Sequence, residues 1–320
     1  MLDSIRAELE SSGAKVKMVS AARLREIEQD LDALKRAESL NGLQRYIVDE
    51  LYQLNVPEGE AEIRSILIVA TPNYASRQIT FCREGRPIPL LCTAGSTDPA
   101  NNPENLAQRL NKLLAAEGYY VKYEPRLPRK RLAVRSGLAR YGRNNITYID
   151  GLGSFYSLAL FFSNLPCTGE TWGAVEQMEL CNDCRACIEN CPTGAIRKDR
   201  FLIDNERCLT RFNESAWPET FPAWIPKDAH NAVFECLRCQ TVCPANRAHL
   251  GNAAPPFQFD EYETALLLSR AEFERLPQSL RDKLTALGWA NNLAALARNL
   301  EALLAQSQEC RGPSGPGSLT

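Results

Sequence analysis

The sequence has few of the residues and patterns that mark several common protein classes. It contains only two histidines, His230 and His249, and its 37 basic and 39 acidic residues leave a net charge of −2. No apolar run reaches the roughly 18 residues that a membrane helix needs, and neither a G-x-G-x-x-G nor a Walker pattern occurs. Balanced charge produces no global field that attracts nucleic acid, so any RNA contact needs a local patch. We therefore expect no membrane span and no glycine-rich phosphate loop.

Length and composition indicate a globular protein with room for two domains. The chain has 320 residues, of which 44% are hydrophobic and 24% are charged, and these values are ordinary for soluble proteins. The N-terminal stretch lacks the basic-then-apolar pattern of an export signal. Twelve cysteines stay reduced only in a reducing compartment, so we expect the protein in the cytoplasm.

Eight of the twelve cysteines form one block in the C-terminal half: Cys181, Cys184, Cys187, Cys191, Cys208, Cys236, Cys239 and Cys243. The first four have the spacing C-x2-C-x2-C-x3-C before Pro192, and the last three repeat the end of that pattern before Pro244. This is the bacterial ferredoxin spacing for two 4Fe–4S clusters, in which the cysteine before proline binds the other cluster. Val233 occupies the place of a first cysteine in the second motif, and Cys208 is the natural replacement.

The spacing therefore predicts two complete ligand sets. The first cysteine set is Cys181, Cys184, Cys187 and Cys243, and the second cysteine set is Cys191, Cys208, Cys236 and Cys239. Zinc is the alternative metal, but four-cysteine zinc sites usually consist of two separated C-x2-C pairs without the x3-Cys-Pro ending. Disulfides would need an oxidising compartment. Cys167 lies close enough to the block to be a minor rival to Cys208.

Hydrophobic periodicity predicts strands alternating with helices before the cysteine block. Helical spacing extends over residues 20–54, apolar runs at 65–70 and 155–162 predict buried strands, and the Pro-, Gly- and Thr-rich stretch 81–102 predicts an irregular loop over a site. The predicted division is an N-terminal helical segment (1–58), an α/β domain (59–170), a double-cluster domain (171–250), C-terminal helices (251–311) and a disordered tail (312–320).

Several motifs resemble the epoxyqueuosine reductase family over residues 60–250. The segment 63–69, followed by Pro72-Asn73-Tyr74, is similar to its first core strand, and residues 135–145 (RSGLARYGRNN) resemble its R-A-G-L-G-W-x-G-K-N-T segment. Residues 153–166 resemble its G-S-[WF]-x-x-L…D-L-P strand, and residues 236–244 resemble its C-x-x-C-Q-x-V-C-P. Together with the isolated Cys208, the order of these motifs is more specific than the cysteine block alone.

The resemblance implies a fold, cofactors and partners. The family resembles reductive dehalogenases, so the implied fold is an α/β (α+β) corrinoid-binding domain, a two-cluster ferredoxin-like module and a short C-terminal helical segment. The implied cofactors are two 4Fe–4S clusters and cobalamin, with the first cysteine set nearer to cobalt. The two histidines lie in no D-x-H-x-x-G motif, which fits a base-off corrinoid. The implied partners are an electron donor (a ferredoxin, a flavodoxin or a reductase) and tRNA.

The matched motifs supply the candidate corrinoid-binding residues, which are Arg135, Gly137, Gly142, Arg143, Asn144 and Ser154. Here glycines would allow a large flat ligand to approach the backbone, although ordinary turn glycines are the alternative. A basic run in the same region is a candidate contact for phosphate, or else a solvated helix face: Arg126, Arg129, Lys130, Arg131, Arg135, Arg140 and Arg143.

The chain departs from the family at the proton donor. The family's aspartate, in a V-D-x-G-P context, aligns with Lys122 in residues 121–125 (VKYEP). Side chains alternate along a strand, so Glu124 shares a face with Lys122 and is one candidate acid, with Tyr123 as its rival. A salt-paired strand end with a core aromatic explains these residues without catalysis. The alternative function is a 4Fe–4S electron-transfer protein that reduces or activates a partner, such as a corrinoid protein.

Overall fold

The computed structural model describes residues 2–56, 62–94 and 98–309. Within these ranges the strands are β1 (Lys15–Ser20), β2 (Ser65–Pro72), β3 (Ser76–Arg83), β4 (Arg86–Cys92), β5 (Val121–Tyr123), β6 (Arg140–Tyr141), β7 (Thr147–Tyr148), β8 (Tyr156–Ser163) and β9 (Ala253–Phe259). The α-helices in the same ranges are α1 (Leu2–Glu10), α2 (Leu24–Ala37), α3 (Gly42–Tyr46), α4 (Pro103–Leu114), α5 (Arg129–Arg135), α6 (Ala186–Glu189), α7 (Leu209–Asn213), α8 (Arg238–Thr241), α9 (Glu261–Leu268), α10 (Gln278–Ala286) and α11 (Leu293–Glu309).

The main sheet has the strand order β1-β2-β8-β5, and every neighbouring pair is antiparallel. On one face, Ile66, Ile68 and Leu160 pack against α2 and α5. On the other face, Leu67 and Phe161 pack against α1 and α4. Because both faces are buried, the two central strands are continuous apolar runs. The predicted mixed α/β class is confirmed, and its sheet is the antiparallel, α+β form.

Two strands lie in segments that the sequence predicted as helical. The edge strand β1 falls within residues 1–58, and its buried residues Val16, Met18 and Val19 do not alternate strictly with exposed ones. Strand β9 falls within residues 251–311. Strand β1 has six residues and carries lysines, and β9 has seven residues and carries prolines. The alternation of apolar and polar residues that marks a strand is therefore weak in both. The domain boundaries themselves stay a prediction, and the predicted disordered tail lies outside the described residues.

The irregular loop predicted over residues 81–102 is wrong for residues 81–92, because strands β3 and β4 form a hairpin there. Its two turn residues, Glu84 and Gly85, have φ values of 54° and 68°, and two-residue hairpin turns need this positive φ at both positions. Pro87 and Pro89 lie in β4, an edge strand, where the missing N–H does not break a ladder. The prolines and the turn glycine therefore hid a hairpin behind a loop-like composition.

The C-terminal chain packs against this hairpin. Strand β9 pairs with β3 in parallel, and Phe259 stacks on Phe81 with ring centroids 5.0 Å apart. Helices α9, α10 and α11 cover the same apolar cluster, which also contains Trp289. The chain after the cysteine block thus returns to the N-terminal half. Among the described residues, we find no helix with the length and apolar character to cross a membrane.

Candidate cluster sites and the adjoining cavity

The first cysteine set surrounds one cavity, whose wall contains Cys181, Cys184, Cys187 and Cys243. Cys181 ends a short 3-10 turn, Cys187 lies in α6, and Cys243 follows α8. Burial and then the charges of the neighbouring thiolates raise the pKa of Cys187 to about 11. A cationic iron–sulfur core would replace this mutual repulsion with attraction. The donor set therefore fits a cluster bound by four thiolates.

The second cysteine set lines a separate cavity of about 230 Å³, whose wall contains Cys191, Cys208, Cys236 and Cys239. Burial raises the pKa of Cys208, while hydrogen bonding with Thr210 and Arg211 opposes that effect. Cys208 is the N-cap residue of α7. The structure brings the eight cysteines together in the two groups that the spacing predicts, and their binding of iron stays a prediction.

The described cysteines outside the block line neither cluster cavity. The Cys167 thiol is 4.0 Å from a Glu170 carboxylate oxygen, and Cys82 is near the Gln258 amide. Cys310 lies outside the described residues. Over the same described ranges, no three His, Cys, Asp or Glu side chains are placed to hold a single metal ion.

Asn144 lies between the two cysteine sets and lines both cavities. Its amide Nδ2 donates to the Tyr148 hydroxyl at 2.9 Å and to the Cys239 carbonyl at 3.3 Å. A Cβ on the neighbouring Gly142 would lie 2.5 Å from the Tyr148 ring and 2.6 Å from Asn144 Oδ1. Glycine is therefore required at position 142 by this packing between the sites, whether or not a flat ligand also approaches.

The largest of the cavities found among the described residues, about 840 Å³, lies at the edge of the main sheet where β2 ends and β8 begins. The start of α4, the hairpin strands, β9 and the turn between α10 and α11 complete its wall. Its charged groups include Arg77, Asp98 and Arg129. Arg77 is only 6% exposed, and its guanidinium lies 4.8 Å from the Phe257 ring centroid. This volume is at the upper end for ligand pockets and suits a large cofactor or substrate.

A hydrogen bond joins the largest cavity to the second cysteine set. The Thr93 side chain, which lines the largest cavity, hydrogen-bonds Glu235, which lines the cavity of the second set. In addition, the backbone N–H of Val233 donates to the Leu91 carbonyl at 2.8 Å. The second cysteine set therefore adjoins the largest cavity directly, although the resemblance places the first set nearer to cobalt.

The two predicted proton donors are placed away from the largest cavity. Tyr123, at the end of β5, packs on Phe161 with ring centroids 5.7 Å apart and belongs to the core around α4. Glu124 accepts the backbone N–H of Arg126 at 3.0 Å and also pairs with its guanidinium at 3.5 Å. Neither residue is among those lining the cavity. Their catalytic role stays a prediction.

The predicted corrinoid-binding residues also lie outside the wall of the largest cavity. Arg135 forms two hydrogen bonds with the Asp30 carboxylate, at 2.6 Å and 2.9 Å, and Gly137 lies just after α5. Arg143 donates to the Cys181 carbonyl. Ser154 Oγ donates to the Gln240 side chain at 2.8 Å, beside the second cysteine set. Their role in corrinoid binding stays a prediction, and their observed contacts support the helices and the cluster sites.

The basic run does not form one patch. Three of its arginines pair with carboxylates: Arg126 with Glu124, Arg135 with Asp30, and Arg140 with Asp150. Arg129 lines the largest cavity. Arg77 and Asp98 line this cavity with Arg129, and neither is among the predicted site residues. No sequence motif marks these two residues. The signal that could have found them is a charged residue within or beside an otherwise uncharged stretch.

Comparison with known proteins agrees with the motifs. A family model described as a 4Fe-4S double cluster binding domain matches residues 180–246. An epoxyqueuosine reductase of Shewanella oneidensis is 28% identical over 218 residues, which make up 61% of this chain and 52% of that protein. The chain therefore matches only about half the length of this curated relative.

Solved structures share the fold. Epoxyqueuosine reductase from Streptococcus thermophilus gives a TM-score of 0.61 at 18% identity, covering 96% of this chain and 81% of the other. A second epoxyqueuosine reductase structure, which contains an epoxyqueuosine-modified tRNA-Tyr stem loop, gives 0.60 at 18% identity, covering 95% and 80%. The resemblance that the motifs indicated is therefore confirmed: the chain has the fold of epoxyqueuosine reductases and, over residues 180–246, matches a double 4Fe–4S cluster binding domain.

Proposed function

We propose that the chain is a corrinoid-dependent iron–sulfur reductase of the epoxyqueuosine reductase type. The observation that carries the proposal is the arrangement of two complete four-cysteine sets beside a cavity of about 840 Å³. The fold and motif similarities to epoxyqueuosine reductases support the same activity. Each cysteine set would hold one 4Fe–4S cluster, and cobalamin with part of the substrate would occupy the cavity.

The overall reaction removes an oxygen from an epoxide. Two electrons and two protons convert the epoxide to an alkene, and the oxygen leaves as water. When bound, the corrinoid would supply redox-active cobalt for this reduction, and the two cysteine sets would hold the clusters that provide its electrons. The direct contact through Thr93 and Glu235 supports delivery of electrons from the second cysteine set. We propose that a ferredoxin, a flavodoxin or a reductase in the cytoplasm would donate the electrons that reduce the clusters again.

The residues of the cavity wall suit the binding of an anionic cofactor or substrate group. Arg77 and Arg129 place two guanidinium groups in the wall, and such groups bind phosphate through paired hydrogen bonds. Asp98 is the one carboxyl group among the described residues of the wall, so it joins Tyr123 and Glu124 as a candidate proton donor. Burial raises the pKa of Cys92, also in the wall, to about 12, so its thiol stays protonated at neutral pH.

We propose the epoxide of a modified tRNA base as the substrate, because a solved structure with this fold contains an epoxyqueuosine-modified tRNA stem loop. A small halogenated or oxygenated molecule is the alternative substrate. A direct assay distinguishes these two substrates. Reduced protein is incubated with tRNA carrying epoxyqueuosine, and the nucleosides are then analysed by mass spectrometry. Conversion to queuosine supports the tRNA substrate. No conversion by protein that holds both cofactors would instead favour a small molecule.

Cofactor content separates the enzyme from an electron carrier. The carrier is favoured by one observation, that Lys122 stands where the family has its acidic residue. After anaerobic reconstitution with iron, sulfide and cobalamin, we expect about eight irons per chain and stoichiometric base-off cobalt(II) in the electron paramagnetic resonance spectrum. The same iron content without cobalt would support the carrier. Zinc in place of iron would contradict both functions.

A further inference from the structure

Arg298 is a buried cation, and no carboxylate of the described residues forms an ion pair with it. Its residue is 4% exposed, and its guanidinium donates to three neutral oxygens: the Phe212 carbonyl, the Pro218 carbonyl at 2.6 Å and Asn299 Oδ1 at 3.0 Å. Burial lowers its pKa, and among the described residues the one charge that also affects this pKa is the cation Arg270. A buried charge without a counter-ion is costly, so its presence needs an explanation.

The surroundings of Arg298 lead to the second cysteine set. Phe212, whose carbonyl accepts from Arg298, lies in α7, and Cys208 is the N-cap of this helix. Four residues separate them, which is about 6 Å along the axis of an α-helix. The guanidinium also lies 4.4 Å from the Phe221 ring centroid, and Phe221 packs in the same apolar cluster as Cys236. An apolar layer with a low dielectric constant therefore lies between Arg298 and two of the cysteines.

Other charged groups nearby do not serve as the counter-ion. Glu214 follows α7, but its carboxylate accepts the backbone N–H of Glu235 at 2.7 Å. His230 lies against Phe221 with ring centroids 4.1 Å apart, and burial keeps it neutral by lowering its pKa to about 4. Arg238 lines the cavity of the second set itself but is only half-buried. Arg298 supplies the more deeply buried positive charge on this side of the second set.

We propose that Arg298 is the counter-ion of the cluster held by the second cysteine set and raises the reduction potential of that cluster. This inference rests on the proposed function to the extent that a cluster must occupy the site. Four thiolates give a 4Fe–4S cluster a net negative charge, and reduction adds one more electron. A nearby buried cation favours the more negative, reduced state, and net charge is one of the factors that set such potentials.

Coulomb's law gives the size of the effect. A unit charge roughly 10–15 Å away, with an effective dielectric constant of about 20, changes the equilibrium constant for reduction roughly tenfold. For a one-electron couple, a tenfold change corresponds to about 59 mV. The cation in the wall of the first set's cavity, Arg143, is unchanged by substitution of Arg298, so we expect the shift in one of the two clusters.

Two substitutions separate charge from hydrogen bonding. Arg298→Gln removes the charge and keeps an amide donor, whereas Arg298→Lys keeps the charge and loses the planar fork of donors. Both are measured in reconstituted protein by anaerobic redox titration followed by electron paramagnetic resonance. We expect the equilibrium constant for reduction of one cluster to fall about tenfold in the Gln variant and to change less than about twofold in the Lys variant. Arg275→Gln is the matched control, because that side chain is 79% exposed and solvent screens its charge.

The proposal is overturned if the Gln variant titrates like wild type, if both variants shift equally, or if both clusters shift together. If the Gln variant holds only about four irons, the Lys variant decides: about eight irons support the counter-ion, and loss in both variants shows that hydrogen bonding holds the site. The iron count of the wild type tests the proposed function separately. Clusters without cobalt leave this inference standing and remove the corrinoid enzyme, whereas a wild type without iron contradicts both.

Discussion

Cys239 and Cys243 lie one helical turn apart in the chain but line different cavities. Cys239 faces the cavity of the second set, and Cys243 faces that of the first. Helix α8 ends between them at Thr241, so the chain passes from one cavity to the other over two residues. Cys191 makes the complementary exchange, since it follows three cysteines of the first set and lines the cavity of the second. The two candidate sites are therefore interlocked.

This exchange of cysteines predicts which of the two clusters each single cysteine substitution impairs. We expect Cys243→Ser to impair the cluster of the first set and Cys239→Ser to impair that of the second, each lowering the iron content from about eight towards about four. Electron paramagnetic resonance of the reduced variants would show two different remaining signals. Cys82→Ser, outside both sets, should keep both signals. The same remaining signal in Cys239→Ser and Cys243→Ser would contradict the exchange.

Gly142 supports a prediction about stability. Because a Cβ at this position would lie 2.5 Å from the Tyr148 ring, Gly142→Ala must displace Tyr148 or Asn144, and overpacking of this kind costs about 1–3 kcal/mol. We expect a lower melting temperature and faster loss of iron in anaerobic thermal scans. Gly251→Ala is the control, since nothing lies within 4 Å of its added Cβ. Equal melting temperatures for the two variants would show that Tyr148 moves freely.

The sequence predicted those parts of the fold that depend only on residues close together in the chain. The apolar runs of β2 and β8 are buried on both faces, so they are visible without knowledge of their partners. The cysteine spacing similarly reflects short turns that place thiols on one side of the backbone. In contrast, the prolines of β4 hid the hairpin β3–β4, and no local pattern relates β3 to its other partner β9, which comes from the far end of the chain.

The large cavity could not be predicted for the same physical reason. Arg77 comes from β3, Asp98 from the segment before α4, and Trp289 from the turn before α11. These residues meet only after the C-terminal helices pack on the hairpin. No local period or spacing relates them. The predicted donors Tyr123 and Glu124 came from the family's motif position, and in this chain that position lies against the core and Arg126.

The position of Asp98 predicts which acid matters for turnover. If Asp98 supplies a proton in the cavity, Asp98→Asn should lower kcat by about 10²–10⁴-fold, the usual contribution of a general acid, with both clusters and cobalt retained. Tyr123→Phe and Glu124→Gln should change kcat less, since neither residue lines the cavity. Single-turnover assays with prereduced protein exclude an effect on electron supply. If Glu124→Gln lost turnover and Asp98→Asn did not, Glu124, directly after β5, would be the proton donor.

The buried histidine predicts a pH dependence of stability. Burial, with a smaller effect from the charge of Arg298, lowers the pKa of His230 to about 4 in the folded protein, whereas an unfolded chain has a histidine pKa of about 6.5. Between these values the unfolded state binds more protons, so the stability from this group is complete above about pH 6.5 and is lost as the pH falls towards 4. The full difference corresponds to about 3 kcal/mol.

His230→Gln removes this proton linkage while keeping a polar side chain against Phe221. We expect the melting temperature of the variant to lie below that of wild type at pH 7.5, because packing is disturbed, and the gap to narrow steadily as the pH is lowered to 5. Because acid also destabilises the clusters in both proteins, the quantity to compare is the difference between their melting temperatures at each pH. A gap that stays constant across this range would mean that the pKa of His230 is the same in the folded and unfolded protein, so that the ring becomes protonated beside Phe221 below about pH 6.5.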